Sequence, residues 1–420
     1  MTLPADLETP CLILHRDRLE RNIKAMADRF REIGVPLRPH LKTAKSIDVA
    51  RICAGHGADR WTVSTLREAE YFAANGLTDI LYAVSIIPAK LDRVSALNRK
   101  GADVAVCLDT LETATALASA PIDGPPLRVF LEIDVDRHRT GLRPDEARLI
   151  EIAQTIHNAD RLQLFGVMAH GGESYGASSL AEIEAMAEQE RSVCVAAAAA
   201  IREAGIPRPF VSVGSTPTAR FGRSFDGVSE VRAGVYMFQD IFQSNLEHIP
   251  QDSDRNSRQG YAQDIDSGAI SCHESDPAFV ESASDIAPLD DIAVTVLASV
   301  VSHSPHLNRL ILDAGGLALS KDRSCASQEN DCGYGFLTDE DGRLIHELFI
   351  EGVSQEHGYV TTRDGQALDF AKFPIGSRLQ VLPNHACMTA AAYDAYHVVD
   401  GQGAMLGEWP RVNGWSPYRD

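Results

Sequence analysis

Basic charge is scarce in this chain of 420 residues, where 39 Lys and Arg face 59 Asp and Glu for a formal net charge of −20. That balance excludes non-specific attraction to nucleic acid or to an anionic membrane surface. It leaves an anionic small molecule open, because a nest of backbone N–H groups binds phosphate whatever the net charge. Long apolar runs are also missing, and none approaches the roughly 20 residues that span a bilayer. The opening MTLPADLETP has neither a basic start nor an apolar stretch, so no secretory signal is expected. The eight cysteines, at 11, 53, 107, 194, 272, 325, 332 and 387, fall in no paired spacing, which argues against a disulfide framework. These absences together predict a cytoplasmic protein with reduced thiols. No GxGxxG follows the first barrel-type strand, which counts against a dinucleotide-binding Rossmann site.

What is present is an ordinary globular composition, 44% hydrophobic and 23% charged, at a length that predicts two domains. From Asp17 to Gly34, Leu19, Ile23, Met26, Phe30 and Ile33 recur at helical spacing, giving an amphipathic helix ended by Gly34. Strands are then expected at residues 37–42, 61–64, 80–84, 104–108, 129–133, 165–169, 210–213 and 231–238. Helices are expected over 47–54, 66–74, 90–98, 111–118, 144–158 and 180–203. Eight strands with helical crossovers predict an α/β protein with a (β/α)8 TIM-like barrel over residues 15–243, an open doubly wound sheet being the alternative. Residues 244–290 are polar and acidic and read as an insertion or linker. Cys272 and His273, adjacent there, are too few for a metal site. Residues 291–420 carry β-like runs (AVTVLASVVS, RLILDAG, LIHELFI, HGYVTT, SRLQVLP) and predict a C-terminal mainly-β domain. The strand-like Thr9–Leu14 is free to pair with either domain.

The stretch RPHLKTAK, Arg38 to Lys45, places Lys42 at or just past the end of the first barrel strand. Chemistry gathers at that end of such barrels. A lysine aimed into a pocket forms Schiff bases with carbonyl cofactors, pyridoxal phosphate being the commonest. A solvated basic loop is the plain alternative. Further polar clusters fall at later strand ends: Arg139 in EIDVDRHRTG, His170 and Tyr175 in GVMAHGGESYG, and Gly214, Ser215 and Thr216 in VSVGSTPT. Arg232, Gly234, Val235 and Tyr236 belong to EVRAGVYMF, on the last barrel strand. Loops after the last two strands commonly bind phosphate, and a Gly-Ser-Thr turn suits that task, although it also reads as an ordinary helix cap.

In the second half, Asn384-His385-Ala386-Cys387 follows SRLQVLP, with Glu356-His357-Gly358 upstream. His-x-Cys on an extended segment presents an imidazole and a thiolate on one side, a pairing that suits zinc. Two ligands do not complete a tetrahedron, so water, substrate or another residue must supply the rest. A purely structural pair is the alternative.

TPCLIL, RPHLKTAK, EIDVDRHRTG, GVMAHGG, VGSTPT, EVRAGVYMF, LILDAG, SQEHG and PNHAC run in one order from residue 9 to about residue 400. In that order the chain resembles the D-serine dehydratase and D-threonine aldolase branch of the fold type III, alanine-racemase-like pyridoxal phosphate enzymes. It departs from the family in the length of 244–290, and in Ala44, where the family often has His. The resemblance implies a barrel holding pyridoxal phosphate, a β domain, and a homodimer with active sites near the subunit interface. Lys42 would carry the cofactor, His170 would lie against its ring, and Arg139 would approach its 3-oxygen. Gly214, Ser215 and Thr216, with Gly234 and Val235, would hold the phosphate, and His40, Tyr175, Arg232 and Tyr236 would lie nearby. His385 and Cys387 match the branch's metal pair, expected to bind zinc. Aldolase members more often show His-x-Asp, so Cys387 tilts the expectation toward a dehydratase.

On this reading Lys42 is the base for the substrate's Cα proton, and a zinc ion acts as Lewis acid on the β-hydroxyl. The expected substrates are small D-β-hydroxy amino acids such as D-serine or D-3-hydroxyaspartate, converted to a keto acid and ammonia. Retro-aldol cleavage to glycine and an aldehyde is the alternative. An amino-acid racemase needs a second base, usually a tyrosine of the β domain, that the sequence does not reveal. A non-catalytic pyridoxal phosphate carrier is typically a barrel alone, which residues 292–420 disfavour.

Overall fold

The computed structural model describes residues 3–247 and 289–419, apart from 138, 178, 208, 329 and 330. Most of the predicted insertion, with Cys272 and His273, lies outside the described residues. The chain begins with strand β1 (Cys11–His15), which runs directly into helix α1 (Arg16–Ile33). Leu19, Ile23, Met26 and Phe30 form the buried stripe of α1, and Gly34 closes it in the left-handed region at φ 78°.

Eight parallel strands follow: β2 (Leu37–Pro39), β3 (Trp61–Val63), β4 (Asp79–Tyr82), β5 (Asp103–Leu108), β6 (Leu127–Glu132), β7 (Leu162–Met168), β8 (Phe210–Val213) and β9 (Glu230–Ala233). Their order is β2-β9-β8-β7-β6-β5-β4-β3, and a bridge between His40 and Thr62 brings the two end strands together. The sheet is thus a nearly closed (β/α)8 barrel, as the alternation of patterns predicts. The crossovers are α2 (Ile47–Gly55), α3 (Leu66–Ala74), α4 (Leu91–Arg99), α5 (Leu111–Ala118), α6 (Ala147–His157) and α7 (Leu180–Glu203). A short α8 (Thr216–Phe221), not expected from periodicity, follows β8. The last strand stops at Ala233, where Gly234 turns the chain into a single 3-10 turn (Val235–Met237) instead of continuing to Phe238. Phe130, Phe165 and Phe210 pack edge-on and tilted inside the wall, with ring centroids 5.1–6.3 Å apart.

After α9 (Ile241–Glu247), strands β10 (Val294–Ser304) to β17 (Met405–Pro410) build a second sheet. Its order is β11-β14-β13-β12-β15-β10-β1-β16-β17, where β11 is Arg309–Leu312, β12 Gly335–Thr338, β13 Leu344–Val353, β14 Gly358–Thr362, β15 Arg378–Pro383 and β16 Ala395–Val399. Strand β1 joins this sheet and not the barrel, antiparallel to β10 and parallel to β16. Two short helices, α10 (Gly316–Leu319) and α11 (Ala386–Ala390), complete the part that faces the barrel. The two sheets meet at the carboxyl ends of the barrel strands. There Ala293 N–H donates to Phe238 at 2.7 Å, Val412 N–H donates to Lys45 at 2.8 Å, and Asn22 donates to Met237 and Asp291.

Candidate active site

A cavity of about 580 Å3 opens at this junction and is lined by residues from both sheets. From the barrel it takes His40, Lys42, Arg139, His170, Tyr175, Gly214, Ser215, Thr216, Arg232, Gly234 and Val235; from the β part it takes Ser324, His385 and Cys387. Tyr236 does not line it: its ring is fully buried behind the wall, beside Cys53. Only its backbone N–H reaches the site, donating to Thr216 at 3.3 Å. Glu356 and His357 are exposed and lie outside the cavity.

Lys42 follows β2 in a tight turn in which Lys45 N–H returns to Leu41 at 2.7 Å and Lys45 itself takes φ 48°. The turn sets the Lys42 side chain exposed toward the cavity while Leu41 and Thr43 on either side are fully buried. His170, after β7, has Nδ1 3.1 Å from the Gly214 carbonyl. A carbonyl only accepts, so Nδ1 carries a hydrogen. Burial, and then the charges of Lys42, Arg139 and Arg232, hold its pKa down at about 3. His40 is held low by burial and then by Lys42 and Arg232, and bonds Ser64 at 3.0 Å. Arg139 reaches the cavity from an exposed loop after β6.

The loops after β7 and β8 are fastened by Glu190 of α7. This fully buried carboxylate accepts the N–H of Gly171 at 2.7 Å and of Gly214 at 3.0 Å. Burial raises its pKa. Ser215 caps α8, its hydroxyl within 3.3 Å of Thr218 N–H and 2.9 Å from Ser174. The helix-cap reading and the cavity-lining reading of VGSTPT therefore hold together. Arg232 is buried and committed to barrel oxygens, with Nε donating to Ser212 at 2.8 Å and Nη2 to Ala169. Tyr175 stacks on Phe242 at 5.9 Å and 8°, forming one wall.

From the β part of the cavity, His385 is the N-cap of α11 and Cys387 lies in its first turn. Their loop is pinned from several sides: Asp240 accepts Ala386 N–H at 2.9 Å, and Asn384 donates to Gly333 at 2.8 Å. His385 Nδ1 lies 2.7 Å from Asp322, and the Thr43 hydroxyl lies 3.1 Å from Cys387 Sγ. Burial alone would raise the Cys387 thiol, but its bond to His385 and the charges of His385 and Lys42 outweigh it and hold the pKa below the usual thiol value. Asp322 and Cys387 lift His385 to about 11 against the opposing effect of burial. Sequence reasoning missed Glu190, Asp240, Asp322 and Thr43; single polar residues within helices and loops, they carry no spacing signal.

A barrel with a lysine just beyond its first strand, facing an imidazole and a thiol from a β domain, is the architecture of an alanine-racemase-type pyridoxal phosphate enzyme. The alanine racemase N-terminal domain family matches residues 14–241, and a serine dehydratase domain family matches residues 293–399. D-threo-3-hydroxyaspartate dehydratase of Delftia sp. (strain HT23) is 40% identical over 97% of this chain and 98% of its own length. D-serine dehydratase of Dictyostelium discoideum is 28% identical over 98% of both, and 3-hydroxy-D-aspartate aldolase of Paracoccus denitrificans is 29% identical over 97% of this chain and 92% of its own. The solved structure of the Delftia enzyme superposes with a TM-score of 0.85 at 40% identity, covering 98% of this chain and 99% of that one. The chain belongs to this family and is a pyridoxal phosphate-dependent lyase of its dehydratase and aldolase branch.

Proposed function

We propose that the protein dehydrates D-threo-3-hydroxyaspartate, and D-serine less readily, to a 2-oxo acid and ammonia. The observation that carries this reading is the meeting of Lys42 and the His385–Cys387 pair across one cavity. Pyridoxal phosphate fits the barrel half. A Cβ on Gly214 would lie 2.3 Å from the Arg232 carbonyl, so that position needs glycine, and one on Gly234 would crowd the His40 carbonyl at 3.0 Å; both glycines line the cavity, where their bare backbone would let a phosphate approach. A divalent cation, zinc by its donors, fits the other half: a thiol held toward its ionised form beside an imidazole whose Nδ1 is already engaged. Among the described residues no third His, Cys, Asp or Glu completes a cluster; water and substrate filling the remaining positions is the pattern of a catalytic site. A D-threo-3-hydroxyaspartate dehydratase variant with a cysteine changed to alanine is described in the metal-free form, and another has a histidine two positions earlier replaced. That spacing is also the spacing of His385 and Cys387, which supports the assignment.

When bound, the cofactor supplies an electron sink for charge at the substrate's Cα, and the metal supplies Lewis acidity at its β-hydroxyl. Lys42 Nζ takes the Cα proton as general base. It stands on one side of the cavity, so the enantiomer presenting its hydrogen to that side reacts, and the family resemblance makes this the D form. His170, neutral with its hydrogen turned to Gly214, would offer a flat uncharged ring to the cofactor. Arg139 would supply a cation for the cofactor's 3-oxygen, and Arg232 is a buried cation in the same cavity lining. The stacked Tyr175 and Phe242 keep water from the reacting carbons. We also read the chain as a cytoplasmic homodimer with a barrel domain at 15–243 and a β domain at 291–420; no helix among the described residues is long and apolar enough to cross a membrane.

The test is product analysis with the purified holoenzyme. D-threo-3-hydroxyaspartate should give oxaloacetate and ammonia, Lys42→Ala should give neither, and L-serine should be inert. Glycine with an aldehyde as the main products would move the assignment to the aldolases.

A further inference from the structure

Two buried or half-buried polar side chains that touch cavity-lining residues from behind have no part in that account. They are Thr43, the neighbour of Lys42, and Asp322, on the loop before Ser324. We infer that Thr43 and Asp322 are positioning residues for the metal pair, one reaching it from the barrel and one from the β domain. The inference rests on the reading of His385 and Cys387 as metal ligands.

Asp322 is aimed by its own turn. Ser320 takes φ 67°, Asp322 N–H donates to the Ser320 hydroxyl at 3.0 Å, and the carboxylate's Oδ1 accepts Ser324 N–H at 2.8 Å and the Ser324 hydroxyl. This leaves Oδ2 directed at His385 Nδ1, 2.7 Å away. An ionised carboxylate only accepts, so a ring hydrogen sits on Nδ1, and Nε2 is the nitrogen that would give up its hydrogen to bind a metal. A partner of this kind fixes both the tautomer and the orientation of a metal-bound imidazole and raises its basicity.

Thr43 acts on the other ligand. It is completely buried, with Oγ1 3.1 Å from Cys387 Sγ. A thiolate sulfur accepts and does not donate, so the hydroxyl is the donor once the thiol ionises. Such a bond draws electron density off the sulfur. The bound metal then keeps more of its own positive charge to act on a β-hydroxyl. The contact also sets a distance. Lys42 must reach Cα while the metal reaches the oxygen on the adjacent carbon, and Thr43 links the two supports through one residue. Its backbone is not free to drift, because Ala44 and Lys45 carbonyls accept from Tyr396 at 2.7 Å and Val412 at 2.8 Å.

The experiment compares cofactor-loaded wild type with Thr43→Val, Thr43→Ser, Asp322→Ala, Asp322→Asn and Cys387→Ala. Zinc affinity is read by competition with a chromophoric chelator, and the thiolate-to-metal band is read after cobalt(II) substitution. Thr43→Val and Asp322→Ala should each weaken zinc by about 10–100-fold with the cofactor absorbance unchanged, and Asp322→Asn should fall between. Thr43→Val should also move the cobalt band to longer wavelength, since a thiolate relieved of its hydrogen bond donates charge more easily; Thr43→Ser should restore it. A stationary band and undiminished zinc affinity in Thr43→Val and Asp322→Ala, with zinc lost in Cys387→Ala, overturn the positioning roles alone. Undiminished zinc in Cys387→Ala overturns the metal reading together with them.

Discussion

The hydroxyl of Tyr396, on β16, donates to the backbone oxygen of Ala44 at 2.7 Å. The β sheet therefore holds the turn of Lys42 by its main chain, and Arg411 in turn donates to the same phenol oxygen. Tyr396→Phe leaves a buried carbonyl and a buried guanidinium each short of a partner, at a cost of about 1–3 kcal/mol. We expect a lower melting temperature and faster loss of pyridoxal phosphate on dialysis. Cofactor retention equal to wild type would show that the turn is fixed by Val412 and Lys45 alone.

Gly214 takes φ 128°, and any Cβ there would meet the Arg232 carbonyl at 2.3 Å. Gly214→Ala should accordingly lose cofactor binding, measured as absent visible absorbance after reconstitution. Gly101, at φ 95° with nothing within 4 Å of its Cβ position, is the matched control. Gly101→Ala carries only the backbone strain, about 1–2 kcal/mol, and should bind cofactor normally.

Phe130 is fully buried in the barrel interior against Leu81, Ala105, Cys107 and Met168. Phe130→Ala opens a cavity among rigid strands and should cost about 3–5 kcal/mol in denaturant unfolding. A loss below about 1 kcal/mol would mean that Phe165 and Phe210 collapse into the space.

Acid should unfold the protein through its buried histidines. His15, on β1, bonds Thr295 at 3.2 Å and is held at about 3 by burial and then by Arg18, instead of the ordinary 6.5. Between those two values the unfolded chain binds a proton that the folded chain refuses, so stability falls as pH drops below 6.5. Each such histidine steepens the decline by up to about 1.4 kcal/mol per pH unit. His15→Gln should flatten the urea midpoint measured from pH 6.5 down to pH 4.5. An equally steep decline in the variant would place the responsible proton elsewhere.

Most of the barrel was legible because its periodicities are clean. The buried stripe of α1 and the crossover helices fall within a few residues of their predicted ends. The strands β12, β16 and β17 were not legible. GFLT is only four residues between turns, and MLGEWP is a sheet-edge strand, interrupted by glycine and mostly exposed. At the site, Lys42, His170 and the His385–Cys387 pair could be named because each stands in a motif of chemistry-bearing residues. Tyr236 shared such a motif, yet the turn at Gly234 sends its ring behind the wall. Glu190 and Asp322 act through tertiary contacts alone, and no local pattern announces those.

Strand β1 is an interior strand of the second sheet, third from the β17 edge, hydrogen-bonded to β10 on one side and β16 on the other. During synthesis this interior strand, made first, must wait to be joined by strands made last. The barrel between them is therefore enclosed in sequence by the two ends of a single closure. A fragment starting at residue 291 would carry β10 with an open edge and a detached β16–β17 hairpin, and should aggregate. The β part is thus inseparable from the chain's beginning, and proteolytic loss of residues 3–15 should disable the metal half of the site while leaving the barrel strands paired.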